Sequence, residues 1–248
     1  MSLRAFITLL ATAALTTVGA SAQQRDRRDP PPIPAGQSYA NSSAILVADI
    51  AMARLAQDKG QWTAFRETAA PDAVTLMAGA VLASVWLKGR ADPAQATRWQ
   101  AKRLFISCDG RTGAASGVLQ FPDGPAGIYT SVWQNLEKPR AKKPKWRWVF
   151  NHGAVAQSPA AADDMISSRT AVCTGNPKAL LAGVQMGPSP TDADITAPGA
   201  SGARASADGT MVWRWQVRAD NSRLVTIELW NGSAFDVVVR DDVPVGAA

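Results

Sequence analysis

Apolar residues recur at helical spacing through Ile45, Ala48, Met52, Leu55 and Ala56, behind the cap-forming cluster Asn41-Ser42-Ser43 and ahead of Gly60. This spacing predicts a helix that buries one face and stops at the glycine. A second, shorter helix carries Trp62 and Phe65 three apart and ends before Pro71. Residues 73–77 form a short apolar run suited to a strand, and residues 79–88, with Trp86, fit either a helix or an irregular cover. From Arg103 the texture changes to strand, turn, strand: runs at 103–107, 115–121, 127–134 and 145–151, separated by Asp109-Gly110 and Pro122-Asp123-Gly124. In the last run Trp146, Trp148 and Phe150 alternate with Arg147, Val149 and Asn151, which predicts two distinct faces.

Residues 187–209 are rich in Pro, Gly, Ala, Ser and Asp and lack periodicity, the pattern of a linker. Three further strand-like runs follow at 211–218, 223–230 and 234–240, the last two joined by the hairpin signal Asn231-Gly232. Met211, Trp213, Trp215 and Val217 share one face, and Phe235, Val237 and Val239 repeat the alternation. So small a sheet cannot bury its own aromatic face, so it must pack on the main domain or on a second copy of the chain. The triplet Trp-Arg-Trp occurs at 146–148 and again at 213–215, which marks two similar strands.

The N-terminal 22 residues have the three parts of an export signal: Arg4, an apolar stretch at 5–15, and the small-residue exit Ala20-Ser21-Ala22. Thr8, Thr12, Thr16, Thr17 and Gly19 thin the stretch below what a transmembrane anchor needs. The expectation is a periplasmic or secreted protein, cleaved near Ala22 and without an anchor. No Arg pair precedes the apolar stretch, which points to export of an unfolded chain and against a preloaded cofactor. Removing Arg4 lowers the formal charge from +6 to +5, because all 20 acidic residues follow the cleavage point. A charge this modest argues for solubility, and nucleic acid is a poor partner for an exported chain. The two cysteines, Cys108 and Cys173, are expected to form one disulfide in an oxidising compartment.

The two helices, the Ala70-Pro71-Asp72-Ala73-Val74 corner, the Ile106-Ser107-Cys108-Asp109-Gly110 turn and the pair of strands Gly127-Ile128-Tyr129-Thr130-Ser131-Val132-Trp133 and Trp146-Arg147-Trp148-Val149 together resemble the nuclear transport factor 2-like, or SnoaL-like, superfamily. The resemblance covers residues 42–154, including Gly60-Gln61-Trp62-Thr63-Ala64-Phe65. It implies an α+β fold in which two or three N-terminal helices pack on a curved antiparallel sheet, a cone or cystatin-like roll. Members use the cone for catalysis, for binding or for neither, so the resemblance implies an architecture more than an activity. The expected organisation is a signal peptide at 1–22, a Pro/Arg/Asp leader at 23–41, the cone domain at 42–154, a connector at 155–209 and a three-stranded hairpin extension at 210–243.

His152 is the only histidine, so the helical two-histidine zinc motif is excluded, and the wide cysteine spacing makes no zinc knuckle. No phosphate loop, dinucleotide fingerprint or nucleophile elbow occurs. No metal or organic cofactor is expected. Two chemical roles remain for the cone. Trp62, Phe65, Trp86, Tyr129, Trp133 and Trp148 either line a pocket for a small apolar or amphipathic ligand or fill the space with core. Asp72 and His152 are the candidate acid–base pair of an isomerase or dehydratase, or else a turn cap and a strand-end residue. Lys138, Arg140, Lys142, Lys143, Lys145 and Arg147 form a candidate anion patch, or simply a solvated hairpin tip. A homodimer or an envelope surface would be the partner of a third kind of protein, an interaction module.

Overall fold

The computed structural model describes residues 40–77, 79–122, 124–137, 144–156, 165–184 and 199–246, all within one unit that spans Ile33–Ala248. The expected signal peptide, most of the leader and most of the linker lie outside these residues, as do Lys138, Arg140, Lys142 and Lys143.

Helix α1 (Ser43–Lys59) buries Ile45, Asp49, Met52 and Ala56, a stripe with the periodicity that the sequence predicts. Gly60, at φ 108°, ends α1 and begins α2 (Gln61–Thr68). A Cβ at Gly60 would lie 2.3 Å from the Asp92 side chain. The close approach has a purpose: Asp92 accepts hydrogen bonds from the backbone N–H of Trp62 and of Thr63 and from the Thr63 hydroxyl. A carboxylate thirty residues away thus caps the positive end of α2 and fixes Trp62 in place. These bonds, led by that of Thr63, hold the Asp92 pKa below the ordinary carboxylate value.

Strand β1 (Ala69–Leu76) follows, then β2 (Ala80–Leu82) and the single turn α3 (Ala83–Trp86), which resolves the stretch at 79–88 into both strand and helix. The meander is β3 (Arg98–Ile106), β4 (Thr112–Gln120), β5 (Ala126–Asn135) and β6 (Trp146–Val155), and β7 (Ser167–Thr170) comes from the expected connector. Their order is β2-β1-β6-β5-β4-β3-β7. The fold is α+β as expected, but this sheet is mixed, not antiparallel: β1 runs parallel to β6, and β7 parallel to β3. The second sheet has four strands where three were expected, in the order β11-β10-β9-β8, with β8 (Ser201–Ala205), β9 (Met211–Val217), β10 (Arg223–Trp230) and β11 (Phe235–Val243). Strand β8 lies in the segment expected to be linker. Its Ala, Gly and Ser give little strand signal, because Gly202 carries the Trp215 ring over its Cα.

Neighbouring residues of β5 show the layering. The Tyr129 hydroxyl donates to Asp49 on α1 at 2.9 Å, and the Thr130 hydroxyl donates to Asp241 on β11 at 2.7 Å. Successive side chains of a strand point to opposite faces, so helices cover one side of the large sheet and the second sheet covers the other. The C-terminal sheet therefore packs on the main domain of its own chain. A register shift at Val132/Trp133 of β5, opposite Val149, changes the reading of β6. Trp148 and Phe150 do not share a face as the alternation predicts. Trp148 meets Phe65 of α2, and Phe150 stacks on Trp215 of β9. A bulge at this position inverts the face of every later residue in the strand. A second bulge, at Val238 of β11 opposite Ile227 and Glu228 of β10, breaks the expected row on β11 and leaves Val237 exposed.

A disulfide, Cys108–Cys173, ties the β3–β4 turn to the chain after β7. That chain is itself bonded to the second sheet, Val172 N–H to the Trp230 carbonyl and Trp230 Nε1 to the Thr174 carbonyl. Among the described residues no helix is long and apolar enough to cross a membrane.

Candidate functional site

A cavity of about 160 Å³ lies between the helices and the large sheet. Met52 of α1, Trp62 and Phe65 of α2, Trp99 of β3 and Leu119 of β4 are apolar side chains of its wall. Gln61, Trp62 and Phe121 are half-buried and form its rim, whereas Met52, Leu76, Tyr129, His152 and Arg223 are buried at depth. Edge-to-face contacts of Trp62 with Phe65 and with Trp86 hold the rim side chains in place.

Trp62, Phe65 and Tyr129 of the expected pocket set line this cavity. Trp86, Trp133 and Trp148 do not. Trp86 stands behind Trp62 with the Arg90 guanidinium 3.7 Å over its ring, Trp133 is fully buried core, and Trp148 is core anchored by its indole N–H to the Phe65 carbonyl. Aromatic residues thus partly fill the space and partly line it.

Asp72 and His152 are not brought together. Asp72 lies outside the cavity wall and pairs with the buried Arg204 of β8 at 3.2 Å. His152 borders the cavity but shares the β6 face that looks at the second sheet, where Nε2 lies 4.0 Å from Asp241 Oδ2. Neither ring nitrogen has a hydrogen-bond partner among the described residues. Burial, reinforced by the nearby Arg223 charge, depresses the His152 pKa from 6.5 to about 3, so the ring is neutral at physiological pH. Of the candidate anion patch, Lys145 is exposed and the Arg147 guanidinium donates to the Glu67 carbonyl.

Three site residues escaped the sequence reading. Trp99 lies at the start of β3, four residues before the run in which a strand was expected. Asp49 lies on the apolar stripe of α1, four residues after Ile45 and three before Met52, a position where a carboxylate is conspicuous. Burial lifts its pKa to about 6, against the opposing effects of the Tyr129 hydrogen bond and of the Trp99 indole. Burial, followed by the Asp49 charge, pushes the Tyr129 phenol well above its ordinary value, so it stays a donor. Arg223 continues by twos the inward row Val225, Ile227, Leu229 of β10, so the alternation alone places a cation on the buried face. It reaches past the end of β1, where Nη1 donates to the Leu76 and Met77 carbonyls.

Among the described residues no cluster of three or more His, Cys, Asp or Glu is arranged to hold a metal. No protein-family model matches the chain. No curated protein matches it significantly either.

Proposed function

We propose that this chain is an exported binding protein of the nuclear transport factor 2-like, SnoaL-like architecture, which takes a ring-sized apolar or amphipathic molecule into its cone. The observation that carries this reading is the 160 Å³ cavity, walled by Met52, Trp62, Phe65, Trp99 and Leu119 and deepened by a few polar groups. Cavities of about 150 Å³ with apolar walls hold a molecule the size of benzene. Support for the architecture comes from two helices that precede a β3–β6 meander and cover its inner face. The disulfide fits an oxidising compartment, and the apolar segment at 5–15 with its Ala-Ser-Ala exit supplies the route.

An acid–base enzyme is the second reading, now favoured by a different pair from Asp72 and His152. The Tyr129 ring lines the cavity, and its hydroxyl bonds to a buried carboxyl with a pKa of about 6.

Titration with benzyl alcohol, followed by the urea midpoint and by calorimetry, tests the binding reading. A site that binds only the folded state adds about 2.7 kcal/mol of stability at a hundredfold excess over Kd. Leu119→Phe, which fills the wall, is expected to abolish the gain. An unchanged midpoint at saturating probe contradicts the proposal.

A further inference from the structure

Arg223 is 2 % exposed and belongs to the second sheet, yet it lines the cavity of the first. Among the described residues only Nη1 of its guanidinium is engaged, by the Leu76 and Met77 carbonyls. Neither Nε nor Nη2 donates to any described residue, and no carboxylate among the described residues forms an ion pair with it. Asp241, whose Oδ2 lies 4.0 Å from His152 Nε2, has other engagements: that oxygen accepts from Thr130, and its carboxyl feels the charge of Arg103. A buried cation with no counter-charge is costly, and burial lowers the Arg223 pKa accordingly.

The Nε and Nη2 protons lie along one side of the guanidinium plane and form the fork that grips a planar carboxylate with two parallel bonds. With Nη1 spent on two backbone carbonyls, this is the edge left over. The neutral His152 beside it can supply one ring N–H to a carboxylate oxygen without adding charge. A phosphate would bring more negative charge than one arginine balances. A carboxylate brings one charge.

We infer that Arg223 anchors a carboxylate, so that the molecule taken by the cavity is a small apolar monocarboxylic acid in its anionic form. This inference rests on reading the cavity as a binding site. The apolar body lies among Trp62, Phe65, Trp99 and Leu119, and the carboxylate faces Arg223. The C-terminal sheet thereby acquires a role beyond covering the large sheet: it delivers the recognition residue.

Calorimetric titration of the full mature protein at neutral pH with benzoate, benzamide, benzyl alcohol and inorganic phosphate separates the outcomes. The inference predicts benzoate binding at least about tenfold tighter than benzamide or benzyl alcohol, with no binding of phosphate. In Arg223→Gln the preference for benzoate over benzamide disappears, and in Arg223→Lys it is partly kept. The comparison among ligands on the unaltered protein stands even if the variants fold poorly. Equal affinity for benzoate and benzamide overturns the carboxylate assignment but leaves the cavity a binding site. Failure of all three aromatic probes overturns both. Tight phosphate binding would make Arg223 a general anion site and would also overturn the assignment.

Discussion

Tyr129 Oη donates to Asp49 Oδ2 at 2.9 Å, joining the middle of the large sheet to the buried face of the first helix. The phenol belongs to the cavity wall, so the helix that covers the cavity is fastened to the sheet by a hydrogen bond to a carboxyl. Burial costs the ionised form of that carboxyl more than the Tyr129 hydrogen bond and the Trp99 indole recover, and its pKa rises from 3.8 to about 6.

A pH dependence follows, with a sign that can be worked out. A carboxyl whose pKa is higher in the folded state stabilises the fold below 3.8 and loses that contribution as pH rises through about 6, by at most about 3 kcal/mol. His152 acts oppositely: held neutral, it contributes stability above 6.5 that is lost as pH falls toward about 3, by at most about 5 kcal/mol. Between 3.8 and about 6 the two slopes cancel. Urea midpoints of Asp49→Asn relative to the unaltered protein are therefore expected to fall on acidification across this window. Those of His152→Gln are expected to fall as the pH is raised. Profiles parallel to the parent's would show that the two groups do not titrate as described.

The Asp72–Arg204 pair is a structural contact, since Asp72 is no part of the cavity wall. Asp72→Asn removes the charge that this carboxylate holds 3.2 Å from the buried guanidinium. The partial exposure of Asp72 screens the loss, so about 1–2 kcal/mol of stability is expected to disappear in urea titration. Binding of an aromatic probe is expected to stay within twofold. A selective loss of binding or turnover with unchanged stability would return Asp72 to the site.

Gly202 faces Trp215 so closely that a Cβ would lie 2.0 Å from the indole. The ring cannot withdraw, because it stacks on Phe150 with centroids 5.6 Å apart and is itself buried. Gly202→Ala is expected to cost about 1–3 kcal/mol by overpacking. Gly79→Ala, where nothing lies within 4 Å of the added carbon, serves as the control and should change stability by less than about 0.5 kcal/mol.

The Cys108–Cys173 bridge spans 65 residues of sequence. The chain-entropy model gives about 4 kcal/mol for a loop of that length, so the urea midpoint is expected to drop accordingly in the Cys108→Ser, Cys173→Ser double variant. Thiol titration of the denatured, unreduced protein is expected to find none, and two titratable groups would contradict the bridge.

Much of this structure was legible where the determinants are local. The stripe of α1, the stop at Gly60 and the meander turns depend on residues a few positions apart, and each was found where the pattern put it. Strand pairing across long separations was not: nothing near Ala69 or Ser167 announces a parallel partner at β6 or β3. The bulge opposite Val149 changes faces without changing composition, so Trp148 and Phe150 looked like neighbours. In the site, bulky Trp62 and Phe65 were conspicuous, but Trp133 and Trp148 are equally bulky and only packing separates wall from core. Asp49 and Arg223 could have been found, because each breaks an apolar row at the right period.

The central claim, that the cavity between the helices and the large sheet takes up a small molecule, is tested most directly by NMR of the tryptophan indoles during titration with benzoate. The nine indoles act as reporters spread over the helices and both sheets. Saturable shifts confined to Trp62 and Trp99, with Trp213 and Trp230 unmoved, are the predicted result. No saturable shift, or uniform small shifts at every indole, would contradict it.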